Sequence, residues 1–506
     1  MVDDVGLHRT LTTAARAHRG RVAILDGDRS WTFDELERRV STFAGRLDTA
    51  GVRRGDRVAV RMANRVEFPV AVLALSRLGA SAVLLSPAWK EREIDHALEL
   101  TGADHAVVDV VDDGDAGALS ARLGADAVTD VDVPVRLTVE GPSPSVAPSD
   151  EAVLVFSSGT TGLPKAVRHT HASLTAATGH WVTALGLGPS DHFQVSTPPS
   201  HILGLLNLLA AFRAGASVRL HRRFDLDVEL ASIESERMTL EMAVAPIVLA
   251  MANRPDLERF DLSSLRFIMW GATPVTASVA ATVTARTGVP ILAAYGTSEI
   301  PVLAVNPIED PLHWRLDSPG LAPADVDVRV VDLATGAELP SGSTGELEAR
   351  GPSTMAGYLP EQANADAFHD GWYRTGDVGR IDPDGWVVLT DRSKDMIKVS
   401  GFQVAPAELE SVLLGHPGVL DCAVFGVHDD TTGEAPVAAV QLDPATHVDD
   451  DELRDLVAQT LAGYKRLRQV VRVATIPRLP SGKALRRELR ERWDAGALNG
   501  AEEVER

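Results

Sequence analysis

The chain reads as an α/β protein whose large first part is followed by a β-rich region and a small α+β domain. Three observations predict this. Short buried-strand runs such as RVAVRMAN, SAVLLSP and HAVVDV alternate with helical stretches up to about residue 320, the pattern of a largely parallel sheet. Beyond that point DVDVRVVD, TGELEARG and WYRTGDVGRIDPDGWVVLTDR are β-rich in texture. After the charged run 391–395 the composition changes again, with IKVSGFQVAPAELESVLL, LDCAVFGVHD and APVAAVQL suggesting a separate small fold. The expected division is a large N-terminal domain over 1–391 with its β-rich subdomain at about 320–391, a hinge at 392–394 and a mobile C-terminal domain over 395–506.

Bulk properties narrow the function classes. Apolar residues at 45% suffice for a large core, and 24% charged residues are ordinary for a globular protein. Forty-nine basic against 71 acidic residues give a net charge of −22, which argues against nucleic acid or an anionic membrane as the main partner. The single cysteine, Cys422, excludes an internal disulfide and reads, within DCAVFGV, as a small core residue. The N-terminus MVDDVGLHRT has acids where a secretory signal is basic, so the cytoplasm is the expected compartment. The longest apolar stretch, 68–87, is broken by Arg77 and Gly79 and reads as helix then strand, with no membrane insertion.

In chain order, RVAILDGDRSWTFDELERRV reads as strand, turn, short strand and an amphipathic helix opened by a Thr32/Glu35 capping box. The Pro/Ser-rich segment 141–151 is expected to be a subdomain seam. In VLVFSSGTTGLPKAV an apolar strand gives way to Ser157, Ser158, Gly159, Thr160, Thr161, Gly162 and Lys165. Such a loop can wrap a polyphosphate: glycine lets backbone N–H groups approach the anion, hydroxyls donate, and lysine supplies a point charge. No Gly-Lys-Ser/Thr closes it, so it is not a Walker A loop.

A long helix is expected over 169–187, and after Pro198, Pro199 and Ser200 His201 opens an apolar helix, as a cap or facing a substrate. LRFIMWGATPV ends a strand in Gly271, Ala272 and Thr273, which suits a flat ring against backbone. PILAAYGTSEIP runs into Tyr295, Gly296, Thr297, Ser298 and Glu299, at the strand end where open α/β sheets place ligands. Asp377 of YRTGD is expected in a tight turn, where a carboxylate could accept two ribose hydroxyls. Lysine occurs only at 90, 165, 394, 398, 465 and 483, so each marks work that arginine cannot do, or chance.

The ordered set SSGTTGLPKAV, GATPV, YGTSE, YRTGD, DRSKDMIKVSGFQVAPAELE and PSGKALRREL resembles the acyl-CoA synthetases of the adenylate-forming (AMP-binding) superfamily, in particular 4-coumarate–CoA ligase-like enzymes. The resemblance implies a large domain of stacked αβαβα sheets with a β-barrel-like subdomain, and ATP, Mg²⁺ and coenzyme A as cofactors. It also implies roles. The 157–165 loop would hold the β- and γ-phosphates, Gly271, Ala272, Thr273 and Tyr295 the adenine, with Gly296, Thr297, Ser298 and Gln403 also near the nucleotide. Asp377 and Arg392 would hold the ribose, and Thr160 and Glu299 the metal. Lys483 would reach the α-phosphate and the acid during adenylation; Lys394 would be the hinge; Lys398, Ser400 and Gly401 would enter for thioester formation along the CoA tunnel. His201, Leu205, Trp270, Ala294, Thr297, Pro301, Val302 and Leu303 would line the acyl pocket. Without an arginine placed for a second carboxylate, the implied acid is aryl or medium-sized and apolar. Ser298 replaces a usual threonine and Ala166 a usual glycine, and neither change removes a needed group. A carrier protein instead of CoA, a non-catalytic nucleotide-binding protein, and a homodimer are the alternatives carried forward.

Overall fold

The computed structural model of the chain describes residues 6–109, 115–132, 144–157, 164–271, 277–309, 311, 314–392, 395–399, 402–429, 431–479 and 482–498. Two mixed sheets stack in the large domain. One runs in the order Ala304–Val305, Ile291–Tyr295, Phe267–Gly271, Leu240–Val244, His192–Val195, Ser217–Leu220, Val22–Asp26 and Arg29–Thr32, and only its two outermost pairings are antiparallel. The other runs Gly357–Leu359, Lys165–Thr170, Glu151–Ser157, Ser81–Leu84, Arg57–Arg61, His105–Val108 and Val128–Asp130.

Strand alternation explains the layering, because successive side chains leave opposite faces of a sheet. Val58 and Val60 join Phe193, Val195 and the helices Phe33–Thr49, Glu67–Leu78 and Ile202–Ala214 in one central core. Ala59 and Val83 face the other way, against the helix Glu91–Thr101. Ile268 and Trp270 pack under the helices Ala245–Asn253 and Ala277–Thr287. The outcome is five layers, αβαβα, as expected. Thr32 and Glu35 form the expected reciprocal cap at the start of Phe33–Thr49.

Three expectations are corrected. The described part of the expected seam, 144–151, leads into Glu151–Ser157, which pairs in parallel with Ser81–Leu84 inside the same sheet, so it divides no subdomains there; 141–143 lie outside the described residues. The helix expected over 169–187 begins at His171, since Lys165–Thr170 zips antiparallel onto Glu151–Ser157 and Thr170 then caps His171–Leu185. The β-rich region is a five-stranded antiparallel sheet, Asp327–Val331, Gly345–Arg350, Trp372–Ile381, Phe368–His369 and Val387–Arg392. Asp327–Val331 has one partner in it, so among the described strands the sheet stays open and the barrel-like closure is not formed.

The small domain is built on Phe402–Val404, Ile397–Val399, Gly433–Leu442, Val419–Asp429 and Gln469–Arg472. One face is covered by Pro406–Leu413 and Asp450–Thr460, the other by Arg486–Asp494. Cys422 lies buried on the central hairpin, and burial pushes its thiol well up, so it is a core residue as expected. The small domain touches the large one where Asn253 Nδ2 donates to the Leu420 carbonyl at 3.3 Å. Among the described residues no helix is long and apolar enough to cross a membrane.

One buried polar cluster carries a pH signature. Glu241 on Leu240–Val244 is buried and accepts from Gln194 Nε2 at 2.7 Å, while Gln194 Oε1 meets His221 Nε2 at 2.9 Å. Glu229 lies close by, and burial raises both carboxyls, Glu229 further through the Glu241 charge. A raised acid keeps its proton when folded but loses it above its ordinary range when unfolded. Its stability contribution is therefore complete at acid pH and drains away as pH rises through the raised folded values. Stability should fall from pH 5 to pH 8 with a slope of up to about 1.4 kcal/mol per pH unit for each retained proton. Urea unfolding of wild type and Glu241→Gln at several pH values checks this; an unchanged slope in the variant would refute the assignment.

Candidate active site

The site gathers at the carboxyl ends of the strands Glu151–Ser157 and Ile291–Tyr295, which the antiparallel sheet reaches through Asp377. Ser157 ends its strand directly opposite Lys165, so the intervening loop starts and finishes at one point. Ser158, Gly159, Thr160, Thr161 and Gly162 themselves lie outside the described residues, as do Ala272, Thr273, Lys394, Ser400 and Gly401.

Lys165 is half-buried with its Nζ 5.2 Å from the centroid of the Tyr358 ring, a cation–π contact. The Tyr358 hydroxyl donates to Glu299 Oε1 at 2.6 Å, and Glu299 is only 6% exposed. Tyr373 sits in the same cluster, its phenol pushed well up by burial and then by the Glu299 charge and Tyr358. Across from it the Tyr295 hydroxyl donates to Asp377 Oδ2 at 2.7 Å. Asp377 lies within the strand Trp372–Ile381 and not in a tight turn: Gly376 takes φ +70° and a register shift follows at 378/379, which turns the carboxyl inward without ending the strand. Arg392 is its backbone register partner on Val387–Arg392.

The segment after Tyr295 is held tightly. A Cβ on Gly296 would lie 2.0 Å from the Pro301 carbonyl oxygen, so only glycine fits there. Thr297 Oγ1 accepts from Ile300 N at 3.0 Å and its own N–H donates to the Ile300 carbonyl. The buried ring of His169 reaches the Ser298 carbonyl through Nε2 at 2.8 Å, which requires the proton on that nitrogen, and burial keeps the ring neutral. Thr297 and Ser298 thus present a fixed edge, and Met355 N donates to the Glu299 carbonyl at 2.8 Å from the other side.

His201 is the N-cap of Ile202–Ala214, its Nδ1 accepting from Leu203 N at 3.3 Å. Burial, and then the nearby ammonium of Lys483, pushes its pKa down to about 4. The ring is therefore neutral with its proton on Nε2, a donor. The same effect relates the two domains: the half-buried Lys483 of the small domain lies within electrostatic reach of His201. Lys398 by contrast is exposed on Ile397–Val399, its N–H donating to Glu434 Oε2 at 2.8 Å. Gln403 pairs with it through the backbone.

One expected pocket residue is misplaced. Phe267 and Met269 face the central core together with Leu205, Tyr295, Val302 and Leu303, and Ala294 packs against it. Trp270, one residue on, points through the sheet into the core beneath Ala245–Asn253 and Ala277–Thr287. Met269, which faces the opposite way from Trp270, is therefore the strand's candidate for the acyl face. Trp270→Ala should cost about 3–5 kcal/mol of stability, read by chemical denaturation, and leave acid preference unchanged. Met269→Ala should shift preference toward bulkier acids. The reverse pattern in a kcat/KM panel would restore Trp270 to the pocket.

The chain matches "AMP-binding enzyme" over residues 11–359 and "AMP-binding enzyme C-terminal domain" over residues 408–483. It is 36% identical to 4-coumarate–CoA ligase 2 of Oryza sativa subsp. japonica, over 92% of this chain and 88% of that one. Its fold is similar to that of ATP-bound MatB from Rhodopseudomonas palustris, with a TM-score of 0.90 and 28% identity over 97% of this chain and 99% of that chain. Amide bond synthetase McbA from Marinactinospora thermotolerans is similar at a TM-score of 0.87 and 31% identity, again over 97% and 99% of the two chains. Residue matches across nearly the whole length, joined to a fold shared with such enzymes, have one conclusion: the chain belongs to the AMP-binding enzymes.

Proposed function

We propose that the protein is an ATP-dependent carboxylic acid–CoA ligase acting on an aryl acid of the 4-coumarate kind, in the cytoplasm where ATP and CoA are at hand. The observation that carries this reading is Lys483, a cation of the small domain, within electrostatic reach of the buried, neutral His201 of the large domain. In the first step a carboxylate oxygen of the acid bonds to the α-phosphorus of ATP and the bond to the pyrophosphate oxygen breaks. In the second the CoA sulfur bonds to the acyl carbon, its proton is released, and AMP departs.

A carboxylate and a triphosphate repel one another, so charge must be offset before either bond can form. Lys165 and the 157–165 loop would take the β- and γ-phosphates and Lys483 the α-phosphate and the acid, stabilising charge that grows in the transition state. Tyr295, with Gly271, would hold the adenine, and Asp377 and Arg392 the ribose hydroxyls. His201 would donate Nε2–H to the acid's oxygen. The buried Glu299 carboxylate, oriented by Tyr358, is the hard oxygen donor that Mg²⁺ takes, with Thr160 as its expected companion. When bound, that ion would supply further positive charge to the phosphates. The apolar lining by Leu205, Met269, Ala294, Val302 and Leu303 suits a flat aromatic acid and offers nothing to a second carboxylate.

Pyrophosphate exchange into ATP across 4-coumarate, cinnamate, benzoate, octanoate and malonate tests the first step. Exchange is expected with the hydroxycinnamate and cinnamate and not with malonate; exchange with no acid, or with malonate alone, would overturn the proposal. Product analysis with free CoA, a phosphopantetheinyl carrier protein and a primary amine tests the second. Acyl-CoA is expected, and transfer only to the carrier or the amine would replace the CoA reading. Oligomeric state enters as a measurement by sedimentation, a homodimer being compatible with the mechanism.

A further inference from the structure

We infer that Arg478 is a positioning residue for Lys483, working with Asp421 as a clamp; this rests on the adenylation reading of Lys483. The turn carrying Lys483 is a narrow hairpin. Leu479 N donates to the Lys483 carbonyl and Gly482 N to the Leu479 carbonyl, both at 2.8 Å, and Arg478 bridges to Ala484. Gly482 adopts φ +83°, so the chain reverses immediately before the lysine.

A hairpin of this size, projecting from a small domain, has no core of its own to hold its direction. Arg478 supplies the hold. Its Nε and Nη2 donate to Asp421 Oδ2 and Oδ1 at 3.0 and 2.6 Å, a bidentate fork on the strand Val419–Asp429. Its remaining Nη1 donates to the Gly482 carbonyl at 2.7 Å, one residue from Lys483. One guanidinium therefore ties the turn to the rigid central hairpin of the domain. Both side chains are mostly buried, at 18% and 15% exposure, so the pair is screened much less than a surface bridge.

The far side of the turn is pinned separately. Arg486 donates to the Val424 carbonyl at 2.9 Å and to both oxygens of Glu410 at 2.8 and 2.9 Å. It also reaches Asp395, next to the expected hinge, at 3.4 Å. Lys483 lies between two arginine anchors on one strand, and Arg478 is the nearer to its backbone. A lysine at 478 could keep the charge but neither the fork nor the simultaneous reach to Gly482. Lys483 swings on a four-carbon stem, so its effectiveness depends on where this turn sets its Cα.

The test separates the two half-reactions, using 4-coumarate with pyrophosphate exchange for the first and supplied 4-coumaroyl-AMP plus CoA for the second. Arg478→Ala should lower exchange by about 10–100-fold, Arg478→Lys and Asp421→Asn by less, with thiolation within about twofold of wild type for all three. In a Lys483→Ala background Arg478→Ala should add nothing, because the group it positions is gone. Equal loss of both half-reactions, an unchanged exchange rate, or a full additive loss in the double variant would overturn the inference. Thermal unfolding of each variant identifies a folding defect, and Asp421→Asn keeps the test open if Arg478→Ala does not fold. If Lys483→Ala itself left exchange intact, the adenylation reading would fall first; a strong Lys483→Ala effect with a silent Arg478→Ala would sink only the clamp.

Discussion

Lys483→Ala is expected to cut acyl-AMP formation by at least about 10²–10³-fold, the scale on which removing one charge-stabilising donor acts. Thioester formation from supplied acyl-AMP should remain within about threefold of wild type. The asymmetry follows from geometry. In the arrangement seen here Lys483 lies within electrostatic reach of His201, whereas Lys398 is exposed on the strand Ile397–Val399. On the proposed reading the domain turns between the steps, so that each lysine would serve one of them. Stopped-flow or quench measurement of the separate half-reactions checks this. Equal loss in both would mean that Lys483 holds the fold or the nucleotide throughout and that the turning picture is wrong.

Asp377→Asn should weaken ATP binding by about 10–100-fold, which corresponds to losing one charged hydrogen bond of about 1.5–3 kcal/mol. The variant is chosen for what it keeps. The amide oxygen still accepts from the Tyr295 hydroxyl, so the 2.7 Å contact survives and the fold loses little. The amide nitrogen, however, cannot accept from a ribose hydroxyl. Titration calorimetry with ATP and a thermal melt read the two effects apart. Wild-type affinity in Asp377→Asn would remove the ribose from this carboxylate.

Much of the site was legible because the chemistry needs residue types that are rare here. Six lysines are present, and Lys165, Lys394, Lys398 and Lys483 fall on motifs. The other two turn out structural: Lys90 is exposed, and Lys465 holds both oxygens of Glu408 at 2.7 and 2.6 Å. Tyrosine is just as scarce and carries the same signal. Of four in the chain, Tyr295, Tyr358 and Tyr373 converge on Glu299 and Asp377, although only Tyr295 stands in a motif that points to a ring. His169 was hidden for another reason. Its role is to fix the Ser298 carbonyl from 129 residues away, and no local pattern reports so distant a partner.

By itself the sequence determined the family, the capping of the Phe33–Thr49 helix and the strand–helix alternation, because each depends on short-range residue order. The tertiary structure decided the rest. Val22–Asp26 joins a sheet whose strands, apart from its hairpin partner Arg29–Thr32, lie some 170 or more residues onward, pairing with Ser217–Leu220, a choice made by burial of whole faces and invisible to periodicity. It decided that Met269 enters the central core and Trp270 the core on the other face of the sheet, since a strand's register against its neighbours selects which alternate set points inward. It also decided that Lys483, more than 280 residues from His201 along the chain, lowers that ring's pKa, because an electrostatic field follows distance in space and takes no account of distance in sequence.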